Sequence, residues 1–166
     1  MQKEEGFSLI ELLVLVAIIL IIAAIAIPNQ RKARSAANEA NAASTLRVLD
    51  NAETIFAITY RSGYTDGLNR LGPPAPGAPP SVNAADLVDG VLAGKTAGGT
   101  NTTFIKSGYS FTYTGAGGAF GSISKYTMSA DPQTRGATGN KSFFTNDPLV
   151  IHYNSGAPAG PNDRPL

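Results

Sequence analysis

The sequence predicts an α+β fold, with one long N-terminal α-helix packed by its second half against a small antiparallel sheet of three or four strands. Three observations carry this. An apolar run at residues 7–27 passes directly into an alanine-rich amphipathic stretch that ends near residue 62. A Pro/Gly segment then forbids helix. Beyond it, aromatic residues alternate with Ser and Thr at the period of a strand.

Residues 1–6 read MQKEEG, a short polar leader. The 21 residues from 7 to 27 that follow are interrupted only by Ser8 and Glu11. As a helix rising ~1.5 Å per residue they span roughly 30 Å, the thickness of a bilayer core. A segment apolar on all sides belongs in lipid or in a helix bundle. Two ordinary readings compete. A cleaved secretory signal has an apolar core of about 7–15 residues ending at a small-residue site, whereas this run is longer and continues into a helical pattern. A plain membrane anchor fits the length but leaves Glu11 unexplained. A carboxylate in hydrocarbon costs at least ~2.5 kcal/mol, which by default marks a functional role and a partner.

Gly6, Phe7 and Glu11, with the apolar run and Pro28, resemble the type III signal of type IV prepilins. The resemblance covers about the first 30 residues. It implies that a prepilin peptidase cuts between Gly6 and Phe7 and that Phe7 is then N-methylated. Glu11 falls fifth and Pro28 twenty-second after that junction, as in the family. The resemblance also implies a type IV pilin-like fold and a single-pass inner-membrane precursor. The partners it implies are further copies of the chain in a helical filament, the peptidase, and a pilus or secretion assembly platform. Cleavage leaves a cationic amine on Phe7 in apolar surroundings. Pairing it with Glu11 of a neighbouring subunit offsets part of the cost of both charges and sets axial register. Two features depart from the pattern. The leader holds Glu4 and Glu5 beside Lys3, and Arg31, Lys32 and Arg34 follow the anchor. Read alone, the positive-inside rule would put the C-terminal region in the cytoplasm. The cleavage motif is the more specific signal and sets the leader on the cytoplasmic side.

Pro28 is expected to kink the helix without ending it. After it, Ala33, Ala37, Ala40 and Ala43 recur at helical steps and lead into Leu46, Leu49, Ala52, Ile55 and Phe56. Small residues permit close helix approach, and the bulkier ones suit packing under a sheet. Helix propensity alone would also explain the alanines. Residues 72–81, GPPAPGAPPS, read as an extended surface loop. A short helix is expected at 83–92, capped by Ser81 or Asn83 and stopped by Gly94. Tyr109, Phe111 and Tyr113 mark one strand, residues 124–130 a second after the glycine-rich turn at 115–121, and 142–144 and 149–153 two more. The tail is expected to be poorly ordered unless neighbours tie it down. The divisions are therefore 1–6, the leader; 7–28, the membrane and filament-core half of the helix; 29–62, its amphipathic half; 63–154, the head; and 155–166, the tail.

The absence of cysteine rules out a disulfide framework, a thiolate metal site and a Cys nucleophile. A net charge of +1 gives no case for nucleic acid as a partner. The one histidine, His152, lies in an alternating strand, and no nucleophile–base, phosphate-cradling or paired-metal motif is present. No enzymatic activity and no cofactor are expected. Asp131, Asn146, Asp147 and Asn154 offer oxygen ligands, but their spacing fits no EF-hand, and Asp-Pro turns explain Asp131 and Asp147. The triplets at 101–103 and 140–142 fit the glycosylation sequon, and neither is assigned a glycan. The leading expectation is the structural subunit of an extracellular type IV pilus. The alternatives are a periplasmic pseudopilin of a type II secretion system and a minor or DNA-uptake pilin.

Overall fold

The computed structural model describes residues 7–95, 98–117, 123–146 and 149–166. The chain divides into two compact units, Met1–Arg34 and Ser35–Leu166. Helix α1, Leu9–Tyr60, contributes to both and runs through Pro28 without ending. Proline lacks the N–H that would bond the preceding turn, so one ladder bond is missing there. In the first unit the described residues are Phe7, Ser8 and the opening of α1.

The second unit is the expected layer of helix on sheet. Strands β1 (Thr103–Lys106), β2 (Tyr109–Gly117), β3 (Ile123–Pro132), β4 (Ser142–Asn146), β5 (His152–Asn154) and β6 (Arg164–Pro165) form one sheet in chain order. Every neighbouring pair is antiparallel. Cross-strand register puts Phe104 opposite Phe111, Phe111 opposite Ala130, Tyr113 opposite Met128, and Ala130 opposite Phe143. Alternation then turns all of these to one face, and they are buried. Ala42, Ala43, Leu46, Leu49, Ala52 and Phe56 of α1 complete the core. The Phe104 and Phe111 rings stack with centroids 4.5 Å apart.

The sheet has six strands where three or four were expected. The additional strands, β1 and β6, are short edges of four and two residues, too brief to display an alternating pattern. A two-residue turn closes β1 on β2, with Ser107 and Gly108 both at positive φ, the geometry that matches strand twist in tight hairpins. The strand expected at 149–153 is displaced: Leu149 has a φ of 63°, and β5 starts only at His152. The tail is tied down, because β6 pairs with β5 and the Leu166 N–H donates to the Ile151 carbonyl at 2.8 Å.

The expected helix at 83–92 does not form. The Ala85 N–H donates to the carbonyl of Arg70, that of Asp86 to Gly72, and those of Leu87 and Val88 to Leu71. Those donors are spent on a neighbouring segment, so no i to i−4 ladder can start. The apolar stripe of α1 also differs in detail. Ala33, Ala37 and Ala40 are exposed, Ala42 is buried, and Ile55 is 48% exposed. The buried positions 42, 46, 49, 53 and 56 keep the 3.6-residue period, and Ile55 stands about 140° from the centre of that line. The glycine-rich turn at 115–121 lies partly outside the described residues. The helix ends as Arg61 enters the left-handed region and Gly63 follows at φ 82°. A side chain at Gly63 would overlap the Ile123 carbonyl, which accepts the Tyr64 N–H at 2.9 Å.

Candidate functional site

Of the residues assigned to processing and assembly, Gly6 lies outside the described residues, and so does the Pro28 side chain. Phe7 is 70% exposed and precedes the helix. The Ser8 carbonyl accepts the Leu12 N–H at 3.1 Å, which opens the helical ladder. Glu11 is an exposed acid in the first turn of α1. A carboxylate there complements the positive end of the helix dipole. It lies one helical turn after Phe7, the new N-terminus that cleavage would create.

The run that carries Glu11 has no apolar surroundings within the described chain. Large side chains from Phe7 to Ile27 stand open, Leu9 by as much as 81%. α1 is long and apolar enough to cross a membrane. Each such side chain gains about 1.5–3 kcal/mol on leaving water. More than a dozen of them in one column therefore demand lipid or other helices.

Two buried acids escaped the sequence reading. Asp50 is 3% and Glu53 0% exposed. The Tyr126 hydroxyl donates to Asp50 Oδ1 at 3.1 Å, and Thr145 Oγ1 donates to Oδ2 at 3.0 Å. Glu53 receives the Thr65 N–H at 2.9 Å and the Thr65 hydroxyl at 2.5 Å. The Tyr113 hydroxyl closes that network on the Thr65 carbonyl at 2.6 Å. Burial pushes the Asp50 carboxyl up to about 6, against the opposing pull of Thr145 and Tyr126. Burial raises Glu53 as well. Burial, and then the adjacent acids, raise Tyr113 and Tyr126. The signal was present, because both acids sit on the apolar stripe between Leu49 and Phe56. These groups fasten α1 to the sheet and to the segment that follows the helix. A third fastening lies at the other end of the packed half. Glu39 accepts the Asn140 N–H at 2.8 Å, and Asn38 donates to the Thr138 carbonyl at 2.9 Å.

The candidate cation ligands do not converge. Asp131 lies near the end of β3, and Asn146 is paired with Thr127, four residues back along that strand, about 13 Å away. Asn154 binds the Gly156 and Ala157 N–H groups and Asp163. Asp147 lies outside the described residues. Among the described residues no three His, Asp or Glu side chains gather as a metal site. His152 is half-buried, with Nδ1 2.7 Å from the Asp163 carbonyl oxygen.

An exposed apolar helix, opened by an acid a few residues from a glycine–aromatic junction, is the geometry of a prepilin signal. Residues 1–27 match the prokaryotic N-terminal methylation motif, the prepilin signal of type IV pilins and pseudopilins. No curated protein and no solved structure matches the chain. The chain thus carries the signal of a prepilin substrate of the type IV pilin or pseudopilin kind, on a pilin-like α+β fold. An inner-membrane-anchored precursor fits both the motif and the apolar helix.

Proposed function

We propose that this chain is the structural, non-enzymatic subunit of a type IV pilus. It is cut between Gly6 and Phe7, methylated at Phe7 and polymerised through its N-terminal helix. One observation carries the reading: an open apolar helix that holds a lone acid, Glu11, in its first turn at the spacing of the methylation motif. In a filament, neighbouring helices replace lipid around that column. The Phe7 amine of one copy then meets Glu11 of the next, and neither charge stays isolated in apolar surroundings. The second half of α1 holds the head, so each added subunit displays its sheet and loops on the outside.

Purified surface filaments test this. Long filaments composed mainly of this chain, absent when Glu11→Ala replaces the wild type although the variant still inserts in the membrane, are the expected result. Normal filaments from the variant would remove Glu11 from assembly. A secretion defect without surface filaments on deletion would replace the pilus with a secretion pseudopilus.

A further inference from the structure

The apolar run is followed at once by Arg31, Lys32 and Arg34. All three are exposed on α1 and make no hydrogen bond or ion pair among the described residues. Helical rise puts them about 6–10 Å beyond Ile27. The polar zone of a bilayer extends roughly 5–8 Å past the hydrocarbon on each side. Side chains on a helix tilt toward its N-terminus, which here is the direction of the apolar run. Long cationic side chains therefore reach back to headgroup depth. At 100° per residue the three cover an arc of about 160°. They form a collar over nearly half the circumference.

The acids of α1 offer this collar no free carboxylate in a neighbouring copy. Glu39, Asp50 and Glu53 are all bonded inside their own head, and Glu11 sits within the apolar run. Anionic lipid supplies what these cations lack, a dense layer of phosphates at the right depth.

We propose that Arg31, Lys32 and Arg34 form a lipid-binding collar that holds the phosphate headgroups of anionic phospholipids where α1 leaves the membrane. The inference rests on the membrane-anchored reading above. The collar gives the unassembled subunit a preferred lipid annulus and a fixed depth. It also explains three cations on the side that the positive-inside rule disfavours, because lipid phosphate compensates them locally.

The test uses the full chain reconstituted in vesicles of mixed phosphatidylglycerol and phosphatidylcholine. Spin-labelled versions of each lipid report which one the protein retains. One basic group near an anionic surface is worth about a 5-fold preference. The wild type should favour phosphatidylglycerol by about 5-fold or more, and added salt should weaken the preference. Replacing the three together (Arg31→Gln, Lys32→Gln, Arg34→Gln) should bring the preference near unity, with the chain still resistant to alkaline extraction. Inorganic phosphate at matched ionic strength should have no effect of its own. Equal retention of both lipids by the wild type, or an undiminished preference in the triple variant, would overturn the proposal. So would self-association that depends on the three cations in the absence of any lipid preference. Alkaline release of the wild-type chain would overturn the anchored reading, and this proposal with it.

Discussion

Replacing Asp50 with asparagine should uncouple the head's stability from pH. Asp50 is buried under the sheet, and its carboxyl titrates at about 6 instead of the ordinary 3.8. That displacement is worth about 3 kcal/mol between the two protonation states. The folded chain holds the proton between these two values while the unfolded chain releases it. The contribution is therefore fully present below about pH 4, declines as pH rises toward 6, and is absent above that. Glu53, also raised by burial, acts in the same direction. An asparagine at this position would keep both neighbours, one hydroxyl donating to its oxygen and the other accepting from its amide. The Asp50→Asn variant should match the wild type near pH 4 and exceed it at pH 7 by up to about 3 kcal/mol. The assay is urea unfolding of the full chain in detergent, followed by near-ultraviolet tyrosine circular dichroism. All six tyrosines lie within the head-bearing unit, so the signal reports that unit alone. Wild-type stability that is flat from pH 4 to 7, or an equal slope in the variant, would refute the reasoning.

Other substitutions separate the remaining parts of the fold. Glu53→Ala should cost about 3 kcal/mol in the same melts, because it strands the Thr65 N–H in the core and leaves the Thr65 hydroxyl only the longer contact with the Tyr113 oxygen. Glu53→Gln, which keeps an acceptor for the N–H, should cost less. Gly63→Ala should destabilise by about 2 kcal/mol through its positive φ alone, and by more through the overlap with the Ile123 carbonyl. Phe104→Ala should cost about 3–5 kcal/mol by emptying the stack on Phe111. Its effect should appear in the tyrosine-monitored melt while membrane insertion is unchanged.

The long N-terminal helix was legible in the sequence because its constraints are local. A long apolar run, an acid at a set spacing and a helical period that crosses Pro28 need no tertiary information. The long strands were legible for the same reason, since Tyr109, Phe111 and Tyr113 display the period of a sheet face. What escaped depends on partners distant in the chain. β6 is a strand only because it pairs with β5. Residues 83–92 had caps and helix-forming composition, yet the carbonyls of residues 70–72 took their donors. Asp50 and Glu53 looked like ordinary helix acids until Tyr126, Thr145 and Thr65 arrived from 12 to 95 residues away. The Ile55 expectation failed on register alone, one residue off the buried line.

Function turns on whether the apolar helix, once released at the Gly6–Phe7 junction, is an assembly element. The mass and N-terminal sequence of the chain recovered from its native membrane or filaments decide this. The expected result is a chain that begins at N-methylated Phe7 and keeps the whole of α1. A chain that retains residues 1–6, or one cut beyond the apolar run so that Glu11 is lost, would contradict it.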